Sequence, residues 1–295
     1  MPPAPLCSPN SEGPKALLSI ALALGSSLSW GVSDFIGGLQ SRRMAVLTVM
    51  AVSQPIGLLL VLVVALAAGG SVPPGGPMAA AIGGGVAGAI ALGCFYTAMA
   101  TGPMSIVAPV ASLGAVVPVT VGLARGEQPA EIQVVGLVVA MAGIALAVRE
   151  AEHPGAVEVP RRSVLLAIFA GLGFGTFFTG ISAAATHDPF WAAVASRGGG
   201  SAVVVIAALV VSAPLVVSRA VLPPLLAIAV LDTLANVLFA AASNKGLLSL
   251  VAVTASLYPV ATVVLARVLL GERLARFQQA GVVLALGGVA MIAAG

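Results

Sequence analysis

Charge is what this sequence has least of. Lys and Arg number 13 and Asp and Glu 10, so that 8% of the 295 residues are charged and 59% are hydrophobic. A soluble domain carries about a quarter charged residues. Too little charge is left to clothe a soluble protein of this length, and lipid is the expected solvent for most of the chain. Cysteine is almost absent: Cys7 and Cys94 stand far apart, which excludes a disulfide framework and a Cys-rich metal site. No apolar signal segment precedes Cys7, so a lipoprotein is not expected. His153 and His187 fall in loops and match no ligand spacing, and no His-Cys-carboxylate cluster suggests a metal. There is no Walker loop, hence no built-in ATP motor. The glycine runs at 83–85 and 198–200 lie inside apolar stretches with no strand before them, so neither a dinucleotide loop nor a nucleophile elbow is present. Polar and apolar residues nowhere alternate at the strand period, which excludes a β-barrel, and no filter-like repeat marks a channel. No cofactor, metal or nucleic-acid partner is expected.

Long apolar runs fill the chain instead. A bilayer core of roughly 30 Å takes about 20 apolar residues per helix. Ten such segments are expected, at about 16–39, 44–68, 78–99, 104–124, 130–149, 163–185, 190–212, 221–243, 248–270 and 276–294. The first is too long for a cleaved signal. Residues 1–15, with five prolines, read as a disordered tail. The one extended polar stretch, 150–162, reads as a linker between a first unit, 16–149, and a second, 163–295. Each unit then holds five helices. Five is odd, so the second unit enters the membrane in the opposite sense. The expected fold is all-α: ten transmembrane helices in two five-helix inverted-topology repeats, the ground plan of many secondary transporters.

The sequence repeats itself accordingly. At a fixed offset of 144 residues, Phe95 falls on Phe239, Gly102 on Gly246, Ser105 on Ser249, and Ala111-Ser112-Leu113 on Ala255-Ser256-Leu257. Further on, Gly126-Glu127, five residues, Gln133, two residues and Gly136 recur with the same spacing as Gly271-Glu272, Gln278 and Gly281. Internal repeats of this kind decide the fold before any local reading does.

The stretch Tyr258-Pro259-Val260-Ala261-Thr262 followed by Gly271-Glu272-Arg273-Leu274, Gln278 and Gly281, with Trp30-Gly31 in the first helix and Arg197 in the seventh, resembles the EamA-type ten-helix members of the drug/metabolite transporter superfamily. The second half fits better: Gly114 replaces Tyr258 in the first, and Ser53 stands where an arginine is frequent. The resemblance implies a multi-pass protein of a bacterial plasma membrane that moves a small metabolite, usually outwards. It also implies a central cavity lined by both halves, with helices five and ten more peripheral. Orientation has two readings. Nine arginines, from Arg42 to Arg276, collect on one side, against Lys15, Arg125 and Lys245 on the other. The positive-inside rule then puts both termini outside, whereas the resemblance implies cytoplasmic termini.

Ionisable residues inside membrane helices are rare and are functional candidates by default. Three lie well inside: Asp34, Arg197 and Asp232. Asp232 is expected near the midplane, with Asn236 one turn on and on the same face. Either the two bind a substrate amine or a coupling proton, or Asp232 is a paired structural group. Arg197 reads as a partner for Asp232, as an anchor for a substrate carboxylate, or as a side chain snorkelling to the interface. Asp34 is an interfacial or a site residue, and if it meets Asp232, like charges require one of them to hold a proton. Trp30, Tyr96 and Tyr258 could stack on a substrate or cap a cation, or serve packing. Trp191 reads as interface belt. Gln54, just before Pro55, either lines the path or repairs the backbone bond that the proline breaks. Pro109, Pro118 and Pro259 are expected to interrupt helices four and nine. Glu127 and Glu272 are expected to cap free N–H groups at the start of the helices that follow them.

The expected function is a secondary transporter, an exporter of a small organic solute working by alternating access, with a proton as candidate coupling ion. The alternatives are a facilitative carrier, an integral-membrane enzyme and an accessory subunit. Against an enzyme stands the spread of the three buried charges over both halves.

Overall fold

In lipid the backbone has only itself to bond to, and every regular element among the described residues is a helix. The computed structural model describes residues 12–148, 160–215, 217–270 and 276–294. The first half holds α1 (Glu12–Ser41), α2 (Val46–Ala68), α3 (Gly75–Thr101), α4 (Met104–Ser112), α5 (Val116–Ala124) and α6 (Glu131–Val148). The second holds α7 (Arg161–Ala185), α8 (Pro189–Val210), α9 (Leu222–Ser243), α10 (Leu248–Ala255), α11 (Tyr258–Leu270) and α12 (Arg276–Ala294). The first helix starts earlier than the composition of the tail suggests. Pro14 is no obstacle, because the first turn of a helix does not use its N–H groups. Residues 149–159, which include most of the linker, and Glu272 lie outside the described residues, while the last two linker residues, Arg161 and Arg162, open α7.

Among the described residues, eight helical stretches are long and apolar enough to cross a membrane, and α6 adds a shorter apolar run over Glu131–Gly143. Two of the eight are discontinuous. A 3-10 turn, Leu113–Ala115, separates α4 from α5, and residues Ser256 and Leu257 separate α10 from α11. These breaks fall at equivalent places of the repeat, but not at the prolines. Pro109 sits inside α4, while Pro118 and Pro259 stand in the first turns of α5 and α11. A proline is tolerated in a first turn, so these two mark where a helix restarts rather than where one is kinked.

Helices α3 and α7 pack along most of their length, as do α1 and α9 in the corresponding pair, and α6 lies along α12. Small residues allow this. A side chain at Gly84 would meet Gly180 Cα at 3.1 Å, one at Gly88 would meet Phe177 Cδ2 at 2.9 Å, and one at Gly171 would meet Ala111 O at 2.7 Å. The expected small-xxx-small contacts are thus present. Gly85 touches the backbone of Ser196, and Gly199 that of Ile82, which brings α3 against α8 as well. The equivalence of the two halves is visible in detail. Gly31, beside Trp30, lies against Tyr258 and Ala261, while Gly175, beside Phe174, lies against Gly114 and Val117. Thr262 Oγ1 seals the first of these contacts by donating to Gly31 O at 3.0 Å.

The loop after α5 shows what the Gly-Glu-Gln spacing does. Gly126 turns the chain at a left-handed φ of 88°, a conformation open to glycine at little cost. Gln133 Oε1 accepts from Ala130 N at 2.9 Å at the start of α6. Glu127 caps too, but not the helix that follows it. Its Oε1 accepts from Leu248 N at 2.6 Å and its Oε2 from Ser249 N at 3.0 Å. The carboxylate therefore holds the free N–H groups of α10, in the other half of the chain, where the helix dipole favours negative charge.

Packing of this kind makes neighbouring glycines differ sharply. Nothing lies within 4 Å of a Cβ at Gly83, whereas one at Gly85 runs into backbone. Gly83→Ala is expected to leave the protein unchanged or stabilise it by up to about 1 kcal/mol through helix propensity. Gly85→Ala is expected to destabilise it by about 2 kcal/mol through overpacking. Thermal unfolding of the two variants in the same detergent checks the difference.

Candidate functional site

Four helices, two from each half, meet around one buried ion pair. Arg197 of α8 is 3% exposed, and its Nη2 lies 2.7 Å from Asp232 Oδ2 on α9. Gln54 of α2 bridges the two: its Oε1 accepts from Arg197 Nη1 at 2.9 Å, and its Nε2 donates to Asp232 Oδ2 at 3.3 Å. Trp30 of α1 donates from Nε1 to the remaining oxygen, Asp232 Oδ1, at 2.9 Å. Room for the guanidinium comes from Gly57, one turn beyond Gln54, where a Cβ would approach Arg197 Nη1 to 3.1 Å and Ala229 O to 3.3 Å. A buried charge survives only when it is paired and its other lone pairs are satisfied. Asp232 meets that condition with three partners from three helices.

The network forms part of the wall of a cavity with an empty volume of about 590 Å³. Asp34, Asn236 and Tyr258 also line it, with Phe174, Phe177 and Phe178 of α7. The rings form a continuous surface. Trp30 lies 5.4 Å from Phe178 and 5.8 Å from Phe239 between centroids, and Phe178 stacks on Phe239 at 4.6 Å. Gly85 and Gly88 from α3 and Gly200 from α8 also line it.

The sequence candidates separate on this geometry. Asp232 lines the cavity and is paired with Arg197. Arg197 is the partner of Asp232 and neither snorkels nor stands open for a carboxylate. Gln54 does not repair the backbone beside Pro55; both ends of its amide go to charged side chains, because the ion pair offers stronger partners than a peptide carbonyl. Asp34 is 6% exposed and lines the cavity. Among the described residues it pairs with no cation. Asn236 lines the cavity one turn below Asp232, as its spacing requires. Tyr258 lines it too, and its buried hydroxyl has no hydrogen-bond partner. Tyr96 is outside the lining: it is buried beneath it, with its ring packed into the space left by Gly37. Trp191 donates from Nε1 to Gly70 O at 3.1 Å and ties α8 to the end of α2. Among the described residues no group of three or more His, Cys, Asp or Glu could hold a metal.

Sequence reasoning missed the phenylalanines. Phe174 carried a signal, because it falls on Trp30 at the repeat offset, and Phe177 and Phe178 follow it one turn on along the same face. Nothing in the sequence marked Ser196 or Gly200 as cavity residues.

Removing one partner of a buried ion pair strands the other charge. Arg197→Met and Asp232→Leu are each expected to cost about 3–5 kcal/mol. The double variant is expected to cost much less than their sum. Unfolding of the three variants in detergent measures the coupling.

The fold has solved counterparts. A structure titled "Crystal structure of protein" matches over 96% of this chain and 96% of its own, with a TM-score of 0.70 at 18% identity. That likeness concerns the fold alone. No curated protein sequence matches. The EamA-like transporter family matches twice, over residues 17–149 and again over 161–294. With both matches taken together, nearly the whole chain is accounted for, and the protein belongs to the EamA-like transporter family, as a membrane protein of two such repeats.

Proposed function

We propose that the protein is a secondary carrier that exports a small organic solute by alternating access. It has ten membrane spans in two inverted five-helix repeats, with units at 16–149 and 163–295, and it resides in a plasma membrane. The substrate enters the cavity between the halves. One observation carries this reading: the cavity is lined by helices of both repeats, and the Arg197–Asp232 pair with Gln54 and Trp30 joins them at its wall. Rocking one repeat against the other would open such a site first to one side and then to the other.

The discontinuous helices support the same reading. Non-helical backbone at membrane depth is tolerated where protein or a cavity surrounds it, and Tyr258, the first residue after the second break, lines the cavity. Both breaks rest on α1 or α7 through glycine contacts, at places where a small rotation changes the packing of one helix on another. Glu127 adds a link that rocking must keep or release.

Asp34 is the proposed carrier of the coupling proton. It lines the cavity with no cation against it, whereas Asp232 is committed to Arg197. Purified protein in liposomes, offered labelled amino acids and small organic cations with and without a pH gradient, tests this. The expected result is flux that follows the gradient and falls at least tenfold in Asp34→Asn. Gradient-independent flux that survives the substitution would make the protein a facilitative carrier and overturn the role of Asp34.

A further inference from the structure

The charges around the cavity do not cancel. Arg197, the one cation lining it among the described residues, is bound to Asp232 at 2.7 Å and to Gln54 at 2.9 Å. Asp34 lines the same cavity from α1 and has no partner of opposite sign among the described residues. An ionised Asp34 therefore leaves the site one positive charge short. A buried carboxylate without a counter-charge is costly, and the cavity is shaped to receive something that supplies one. Beside it stands a second unmet group: Tyr258 is 4% exposed, and its hydroxyl, buried at the cavity wall, finds no hydrogen-bond partner. Part of the wall is aromatic. Trp30, Phe174, Phe177 and Phe178 present ring faces and edges to the space, and such rings attract cations electrostatically.

Resting on the carrier reading above, we infer that the substrate is a monovalent organic cation, an amine or quaternary ammonium whose positive group sits at Asp34 and Tyr258 and whose apolar body lies on the Trp30 and Phe178 rings. Other classes fit the site worse. An anion would meet an arginine whose charge is already paired with Asp232 at 2.7 Å, with its Nε lacking a hydrogen-bond partner among the described residues, and would stand beside a carboxylate that has no counter-charge among those residues. A zwitterion would have to break the Arg197–Asp232 pair to bind its own carboxylate. A neutral solute would leave Asp34 as it is.

The two tryptophans make the site readable without transport. Trp30 lines the cavity and Trp191 does not, so in a Trp191→Phe background the fluorescence of Trp30 reports the cavity alone. The probes are benzyltrimethylammonium, phenethylammonium, phenylalanine, phenylacetate and benzyl alcohol, titrated onto purified protein in detergent. Saturable quenching by the two cations only is expected, at least tenfold weaker in Asp34→Asn and retained in Asp34→Glu, which guards against a variant that has merely misfolded. Tighter binding of phenylalanine, phenylacetate or benzyl alcohol would overturn the inference, as would an unchanged cation affinity in Asp34→Asn or no quenching by any probe. Flux of benzyltrimethylammonium, which does not cross lipid unaided, is then measured in liposomes. Cation binding without flux supports the substrate class and sinks the carrier reading. Flux of another class with no cation binding does the reverse.

Discussion

The buried ion pair between Arg197 and Asp232 is the constraint around which the membrane core is arranged. Taking two charges out of water costs several kcal/mol for each ion, and only close geometry with further hydrogen bonds offsets it. Here the further bonds come from Gln54 and Trp30, so that α1, α2, α8 and α9 must all reach one point. Their approach is set by what they do not carry. Gly57 leaves room for the guanidinium, and Gly85 and Gly199 let α3 come against α8 backbone to backbone. The ion pair specifies which helices meet, and the small residues decide how near they come.

The duplication extends this logic through the fold. Trp30-Gly31 rests on the second helix break at Tyr258, and Phe174-Gly175 rests on the first at Gly114. The two contacts are the same contact made twice with different side chains. Where the repeat is faithful, as in these glycines, it builds the scaffold. Where it diverges, it builds the site. Trp30 donates a hydrogen bond to Asp232, while its counterpart Phe174 has nothing to donate. Arg197 has Ser53 as its counterpart, so the pseudo-symmetric core carries one arginine rather than two. Asp232 likewise has Gly88 as its counterpart, so the ion pair is made once and not repeated.

A capping interaction shows why linear neighbours mislead. Glu127 stands just before α6, and a carboxylate there is expected to cap it. Gln133 already serves α6 from within, by accepting from Ala130 N. The carboxylate is free to turn to Leu248 and Ser249 of α10, whose first N–H groups have no other capping side chain. The assignment of a carboxylate to a helix start was correct; the choice of helix depended on which free donors the fold brought nearest.

By itself the sequence determined the solvent, the class and the family. A chain with 8% charge and runs of about 20 apolar residues must satisfy its backbone inside helices, and a motif repeated at constant offset reports a duplicated unit whatever its contacts are. It also singled out Asp34, Arg197 and Asp232 as candidates, because a charge in lipid is costly. Only the tertiary structure decided what each of them touches. Residues 34, 54, 197 and 232 lie on four helices far apart in the chain, and no periodicity links them. Which carboxylate takes the arginine depends on helix rotation and closest approach, and these depend on glycines whose partners are equally remote. Pairing is a property of three-dimensional distance. The sequence could name the charges, but the packing alone chose which carboxylate takes the arginine.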